Sequence, residues 1–432
     1  MNIKSNIIDL RKKLNKSSFF KDSFWAVCGN GIGYALLLVS GIIIAHLLGK
    51  SEYGEYGLVK TTMFFIASFA SFGLNYTSTK FIASSLKTRP EHVNNYIKTA
   101  ISITIISSII LSLILEIFAP YIAKFLDEPS LTLPLRLLGV LIIVRSLTYT
   151  LIAILAGFGD FKKIAISNVT SGVTMLILSI PFTYYCGLAG ALGCLIISQL
   201  VLLLINGFFV ERHQKKLINQ IRIPVLKEII SVSYPVALHE AAYSIFHWLG
   251  VMLITKMATL GQLGIYSAAS QWNAIILFIP NILVNVIVSN LSKHIDNTTA
   301  HHKIIKLSLL SNLGCTVIPF IIILFINKFI ASLYGPTFVG LAPVINVMIF
   351  ATIFICCSNV FYSEFIANGK TMIVFIARVL RDSLLLLLAY ILIKNHSIDS
   401  AALQYAIATV IASAIHFLFL GICYLKYQKQ HA

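Results

Sequence analysis

The chain has 432 residues, of which 58% are hydrophobic and only 11% are charged, and its net charge is +17. Soluble globular domains carry about 25% charged residues, so this composition excludes an ordinary soluble protein. Apolar runs long enough to cross a hydrocarbon core of ~30 Å recur along the chain, which predicts an all-α polytopic membrane protein.

A basic segment, residues 1–22, precedes the first apolar run. Ile3, Ile7, Leu10 and Leu14 recur in it at helical spacing among lysines and an arginine. This pattern is typical of an amphipathic helix that lies on an anionic membrane surface, and a plain solvated tail is the alternative. Because no small-residue cleavage site follows, we interpret the segment as cytoplasmic and retained, and not as a secretory signal.

The apolar runs predict about twelve transmembrane helices, and an even number places both termini on the same side of the membrane. The loops on the side of the termini hold 23 lysines and arginines, and the opposite loops hold five. Cytoplasmic loops are enriched in these residues, so both termini are predicted to be cytoplasmic, and the net charge is not interpreted as nucleic-acid binding. The predicted spans lie near 23–48, 57–83, 97–125, 134–156, 164–186, 188–210, 231–257, 265–291, 303–327, 343–366, 372–394 and 399–425.

The second half of the chain repeats features of the first half after a shift of 210 residues. The shift aligns Gly54 with Gly264, Tyr56 with Tyr266, Ser23 with Ser233 and Asn75 with Asn285. An element repeated after six spans keeps its orientation, which predicts two parallel six-helix repeats around a central cavity, a design that permits alternating access. The predicted parts are an N-terminal lobe over 23–210, a cytoplasmic linker over 211–230, a C-terminal lobe over 231–425 and a cytoplasmic tail over 426–432.

Three segments resemble the polysaccharide-unit flippases of the multidrug/oligosaccharidyl-lipid/polysaccharide exporter superfamily. Twelve spans instead of fourteen favour the O-antigen (Wzx-type) group over the lipid II flippases. The resemblance implies a MATE-like fold of two lobes around a central cavity. The segments are "LLGKSEYGEYGLVKTTMFFIASFASFGL" (Leu47–Leu74), "ILAGFGDFKKIAISNV" (Ile154–Val169) and "YGPTFVGLAPVINVM" (Tyr334–Met348).

The same resemblance implies a function in O-antigen, lipopolysaccharide or related polysaccharide biosynthesis. The substrate would be an undecaprenyl-pyrophosphate-linked oligosaccharide, moved from the cytoplasmic to the periplasmic leaflet of a bacterial inner membrane. Membrane lipids, a polysaccharide polymerase and a chain-length regulator are the implied partners. No enzymatic activity, cofactor or metal is implied, and the sequence leaves coupling to H⁺, to Na⁺ or to neither open.

Two other functions compete with this interpretation. A multidrug exporter of the same superfamily would expel organic cations and is expected to carry a cavity dominated by carboxylates. A membrane-embedded glycan polymerase or acyltransferase would need a large outer loop or a catalytic His/Asp pair on one face, and the sequence contains neither. The seven cysteines show no metal-ligand spacing and are interpreted as packing residues.

Charged residues within the spans mark the candidate binding site, because a charge in the bilayer is costly unless it faces water or a partner. Arg145 lies near the middle of the fourth span, and Arg378 and Arg381 lie in the eleventh. Arginine holds phosphate oxygens in a bidentate manner, so we expect these three residues, with Lys60, to bind the pyrophosphate. Alternatively, Arg378 pairs only with Asp382, four residues later.

Polar stripes on two helices complete the predicted cavity. The seventh helix carries Glu240, Tyr243, Ser244 and His247 on one face, and the second helix carries Ser68, Ser71, Asn75 and Ser78. Glu240 is also the candidate for ion coupling, because a desolvated carboxylate binds a proton more readily. The predicted polar lining of the cavity consists of Glu240, Asp382, His247, Asn75 and Asn285.

Overall fold

The computed structural model of the protein describes residues 3–125, 129–215, 225–293 and 298–431. These residues form twelve α-helices and three short 3-10 turns, which confirms the all-α prediction. The helices are α1 (Ile3–Ala70), α2 (Leu74–Thr88), α3 (Val93–Phe125), α4 (Thr132–Gly157), α5 (Phe161–Gln214), α6 (Leu226–Met257), α7 (Leu260–Ile276), α8 (Phe278–Lys293), α9 (Thr298–Leu333), α10 (Leu341–Ala367), α11 (Thr371–Asn395) and α12 (Ala401–His431).

Three predictions fall partly or wholly outside the described residues. The amphipathic character of segment 1–22 depends on side chains that are not described, although the backbone of α1 is helical from Ile3 onward. Residues 216–224 of the predicted linker and the side chain of Asn285 are likewise outside the description.

Single glycines divide the two longest helices. Gly49 (φ 73°, ψ 173°) interrupts α1 and Gly187 (φ 55°, ψ −136°) interrupts α5. Glycine adopts a positive φ at little cost, so the chain turns back at one residue and each helix contains two spans. The second span begins directly after Gly49, and not near residue 57 as the sequence pattern predicts.

The second span is itself broken in the middle, where the sequence pattern predicts a continuous helix. Phe72 (φ 48°) and Gly73 (φ 70°) separate α1 from α2. The hydroxyl of Ser107 donates to the freed carbonyl of Ala70 at 2.5 Å. A Cβ on Gly73 would lie 2.8 Å from the carbonyl oxygen of Ser233, so glycine is required where the backbone of α6 passes.

The described helices account for twelve spans. Seven helices are long and apolar enough to cross a membrane, and the bent pair α7–α8 provides an eighth span. Because α1 and α5 each hold two spans, these make ten, and α6 and α11 complete the set. We call α1–α5 the N-lobe and α6–α12 the C-lobe. The outer end of the molecule is the end opposite to the two chain termini.

The repeat is visible in the backbone of the turns that precede α5 and α11. Asp160 has φ −84° and ψ 49°, and Lys370, 210 residues later, has φ −85° and ψ 46°. The preceding residues, Gly159 and Gly369, have φ 78° and 70°. The amides of Asp160 and Lys370 each donate to the carbonyl five residues earlier, at 3.0 and 2.8 Å. The predicted parallel repeats are confirmed.

The hydrophobic cores show where the lobes join. The largest buried cluster contains residues of both lobes near the outer end, among them Tyr53, Leu58 and Leu263. Near the inner end, one cluster around Ile154 belongs to the N-lobe and another around Phe365 belongs to the C-lobe. The lobes therefore share one large core at the outer end. At the inner end each lobe has a core of its own, and a smaller cluster of residues from α2, α3 and α6 connects the two lobes.

Candidate functional site

The outer end of the space between the lobes is closed by the two glycine turns. A Cβ on Gly54 would lie 1.9 Å from the carbonyl oxygen of Leu260, and a Cβ on Gly264 would lie 2.0 Å from that of Lys50. Leu260 follows Lys50 by 210 residues, and Gly264 follows Gly54 by the same number. The contact of Gly54 with Leu260 is therefore the repeat equivalent of the contact of Gly264 with Lys50. The pseudo-two-fold axis of the repeats passes through this point.

Hydrogen bonds between the lobes extend the closure. His46 Nδ1 lies 3.0 Å from the carbonyl oxygen of Leu333. The amide of Lys50 donates to the hydroxyl of Thr337 at 3.2 Å. These contacts join the first hairpin to the segment before α10, two of the regions that carry the family resemblance. The lobes are therefore held together at the outer end in this conformation.

Below the closure, the second span packs along α6. The indole of Trp248 donates to Thr62 at 3.1 Å and stacks on Phe65 with ring centroids 4.8 Å apart. The hydroxyl of Ser68 donates to that of Ser244 at 2.8 Å. The two predicted polar stripes therefore meet at Ser68 and Ser244.

Arg145 occupies a pocket within the N-lobe that fixes its guanidinium group. Its Nη1 donates to Gln199 at 2.9 Å, and its guanidinium carbon lies 4.2 Å from the ring centroid of Tyr149 and 4.8 Å from that of Phe64. Aromatic faces attract a cation without neutralising its charge. The Nε atom is buried and has no hydrogen-bond partner among the described residues, so one donor of the guanidinium group is unsatisfied.

Lys60 adds a second positive charge to the Arg145 pocket. Its ammonium group lies 6.0 Å from the ring centroid of Tyr56. Lys60 also lies one helical turn before Phe64, whose ring centroid is 4.8 Å from the guanidinium carbon of Arg145. Neither cation lies within ion-pair distance of a carboxylate among the described residues. Two half-buried like charges that repel each other are stabilised by an anion, and the structure brings together these two predicted site residues.

Of the two predicted arginines of the C-lobe, Arg381 is paired with a carboxylate and Arg378 has no ion-pair partner among the described residues. Arg381 forms an ion pair with its neighbour Asp382, with Nη2 and Nε at 2.6 and 2.8 Å from Oδ1. The alternative pairing of Asp382 with Arg378 is therefore wrong. The nearly complete burial of Asp382, whose side chain is 9% exposed, requires such a partner. Arg381 is neutralised locally and is not available as a free charge.

Arg378 lies over an aromatic surface on α6. Its guanidinium carbon is 4.6 Å from the ring centroid of Tyr243. The rings of Tyr243 and His247 are parallel within 8°, with centroids 6.2 Å apart. Tyr243, His247 and Arg378 therefore form one cluster between α6 and α11.

The structure does not bring every predicted residue together. Arg145 packs within α1, α4 and α5, whereas α11 packs against α6, α10 and α12, so the two cationic clusters lie on separate lobes. Asn75 is exposed and accepts a bond from the amide of Tyr76 instead of joining either cluster. Glu240 is half-buried and has no ion-pair partner among the described residues.

The sequence pattern does not reveal several side chains that define these clusters. Gln199 is one of two amides, with Asn206, in the otherwise mostly apolar span 188–210, and such a residue is a signal for a polar partner within the bilayer. Phe64 and Tyr149 carry no such signal, because aromatic residues are common in membrane helices. A buried pair was also missed: His301 Nε2 lies 2.8 Å from Oε2 of Glu364, which also accepts from Asn368 at 3.0 Å through Oε1.

Comparison with known proteins is consistent with this geometry. The family profile described as "polysaccharide biosynthesis protein" matches residues 19–291, which is more than half of the chain. No curated protein sequence matches. The similar solved structures are at most 18% identical to the chain, and they therefore show the fold alone.

Three of those structures illustrate how far the similarity of the fold extends. A multidrug resistance MATE family transporter in its inward-facing conformation has a TM-score of 0.75 at 17% identity, over 93% of this chain and 96% of that one. The lipid II flippase MurJ, inward closed, has a TM-score of 0.72 at 16% identity, over 92% and 86%. An outward-facing MATE family transporter has a TM-score of 0.62 at 18% identity, over 95% and 96%.

Proposed function

Since the chain belongs to the polysaccharide biosynthesis protein family, we propose that it is a flippase for undecaprenyl-pyrophosphate-linked O-antigen or related repeat units. The chain is a multi-pass membrane protein with the fold of the superfamily's transporters and flippases. In this proposal both termini face the cytoplasm of a bacterial inner membrane. The lipid-linked head group enters between the lobes from the cytoplasmic side and leaves toward the periplasm.

The pair of Lys60 and Arg145 is the observation that carries the proposal. A pyrophosphate diester bears two negative charges that must be compensated inside the bilayer, and the pair offers two positive charges with no carboxylate beside them. Arg145 presents its unpartnered Nε as a charge-assisted donor, and the aromatic rings around it hold the guanidinium plane in place. A rigid, dehydrated cation of this kind is suited to a phosphate group.

The closed outer end defines the step of the transport cycle. With Gly54 and Gly264 in contact, the outer end is closed to a bound head group. Transport requires the glycine contact to separate and the lobes to approach each other at the inner end, which is alternating access about the pseudo-two-fold axis. No covalent step is needed, and the protein acts as a transporter and not as an enzyme.

The competing function is export of organic cations. A cation exporter needs carboxylates that face the substrate, and the chain has two candidates in its predicted cavity. Asp382 is already neutralised by Arg381, and only Glu240 has no ion-pair partner among the described residues. The balance of unneutralised charge therefore favours an anionic substrate.

A reconstituted transport assay tests the proposal. Purified protein is placed in liposomes with undecaprenyl pyrophosphate that bears a β-linked N-acetylhexosamine disaccharide, and an impermeant hexosaminidase, which releases the terminal sugar, is added outside. The protein is expected to bring the lipid-linked sugar of the inner leaflet within reach of the enzyme. Arg145→Ala, present in the same amount, should not. Equal accessibility with and without the protein would contradict the proposal.

A further inference from the structure

The surface formed by Tyr243, His247 and Arg378, which we call the aromatic ledge, differs in kind from the Lys60–Arg145 pocket. Two parallel rings one helical turn apart extend along α6, and one guanidinium group covers the first ring. The pocket in the N-lobe concentrates charge, whereas the ledge combines flat apolar faces with N–H and O–H groups at their edges.

The aromatic ledge is exposed beside the contact between the lobes. Tyr243 is 42% exposed, and His247 is also exposed. On the same helix Leu249 is 39% exposed, but at 100° per residue it lies about 160° around the axis from His247. Ser244 and Trp248, beside the ledge, contact the N-lobe, so the ledge lies next to the opposite lobe and Leu249 lies on the other side of the helix.

The charges around the aromatic ledge do not suit a pyrophosphate. Arg381 is paired with Asp382, which leaves Arg378 as the one unneutralised arginine of the described cluster. Glu240, one turn before Tyr243 on α6, adds a carboxylate with no ion-pair partner among the described residues. A doubly charged phosphate group is repelled by that carboxylate and finds a better site at Lys60 and Arg145.

A sugar ring has the complementary chemistry. Its C–H face is apolar and packs on an aromatic ring, while its hydroxyls both donate and accept hydrogen bonds. Arg378 and His247 supply donors, and Glu240 supplies an acceptor that is not otherwise used. The amphipathic rings provide contact area at low cost in conformational entropy.

We propose that the aromatic ledge binds the sugar of the lipid-linked substrate while the opposite lobe holds its pyrophosphate at Lys60 and Arg145. This assignment rests on the proposed flippase function. The ledge is then the part of the protein that distinguishes a lipid pyrophosphate that bears a sugar from one that bears none. It also divides the substrate between the lobes, so that both lobes hold it when they move.

Two probes that differ only in the sugar test the assignment. The full-length protein in nanodiscs is titrated with radiolabelled undecaprenyl pyrophosphate and with the same carrier bearing one N-acetylhexosamine. Tyr243→Ala is expected to weaken binding of the sugar-bearing probe by about tenfold and to leave the bare carrier within about twofold. Tyr243→Phe, which keeps the ring, should retain the affinity, and Arg145→Ala should weaken both probes equally.

Tyr234→Ala is the matched control, because Tyr234 lies on the same helix, is 55% exposed and, at 100° per residue, lies about 180° around the axis from Tyr243. It should change neither affinity. Equal affinity of the unaltered protein for both probes, or equal loss of both in Tyr243→Ala, would overturn the ledge while leaving the flippase proposal intact. Failure of the unaltered protein to bind either probe would reject the flippase proposal together with the ledge.

Discussion

Gly54 and Gly264 lie against each other where the two lobes meet. A Cβ on Gly54 would lie 3.1 Å from the backbone nitrogen of Gly264, and a Cβ on Gly264 would lie 3.2 Å from that of Gly54. Each glycine also faces the backbone of the opposite turn, at Leu260 and Lys50. Residues related by the repeat therefore form a self-complementary contact at the outer end. No side chain fits there, which explains why a glycine stands at both repeated positions.

Gly54→Ala is expected to separate the outer closure. The added methyl group would lie 1.9 Å from a carbonyl oxygen, so the turns must move apart and the closed conformation loses stability. Hydrogen–deuterium exchange of peptides over 45–62 and 255–270 should become faster. Gly314→Ala is the control, because a Cβ at Gly314 meets nothing within 4 Å and its φ is not positive. Unchanged exchange in Gly54→Ala would show that the turns do not form the closure.

Gly159→Ala and Gly369→Ala should destabilise the protein to the same extent. Both residues have a positive φ, and a Cβ at either position meets no other atom within 4 Å. The cost is therefore backbone strain alone, about 1–2 kcal/mol each. The fall in Tm on thermal unfolding in detergent measures it. A large difference between the two variants would contradict the equivalence of the two turns.

Asp382→Asn should lower stability more than removal of the whole ion pair. Arg381, 20% exposed, would be left with a buried and unpaired charge at a cost of about 3 kcal/mol. The double variant Arg381→Met with Asp382→Asn is expected to unfold at a higher temperature than Asp382→Asn alone. If Arg378→Met rescues Asp382→Asn better than Arg381→Met does, the pairing in the structure is wrong.

Gln199→Glu should inactivate the Arg145 pocket without unfolding it. A carboxylate in place of the amide would lie about 2.9 Å from Nη1 and neutralise the guanidinium group. Binding of undecaprenyl pyrophosphate is expected to fall about as far as in Arg145→Ala, while the Tm stays the same or rises. Gln199→Leu keeps the free charge and should retain binding. Undiminished binding in Gln199→Glu would show that Arg145 does not hold the phosphate.

The sequence was sufficient for the architecture because spans, loop charge and the repeat are long-range patterns. The pairs Gly54/Gly264 and Asp160/Lys370 follow the 210-residue shift that predicted the two lobes. The break at Phe72 and Gly73 was not predictable in the same way. It depends on the close approach of α6, and a contact between segments far apart in the chain leaves no local periodicity.

The sequence predicted which charged residues belong to the candidate site, but not which side chains surround each of them. Buried charges are rare enough in membrane spans to be found one by one, so Arg145, Arg378 and Arg381 stand out. Their partners do not, because helix spacing favoured Asp382 with Arg378 and the structure pairs it with Arg381. The rings of Phe64 and Tyr149 are ordinary membrane residues until the fold places them around a guanidinium group.

Competition between an anionic lipid and an organic cation tests the central claim most directly. The full-length protein in nanodiscs is titrated with undecaprenyl pyrophosphate and, separately, with ethidium. We expect saturable binding of the lipid pyrophosphate that Arg145→Ala abolishes, and no displacement of the lipid by ethidium. Saturable binding of ethidium that depends on Glu240 and is unaffected by Arg145→Ala would contradict the account and identify a cation exporter.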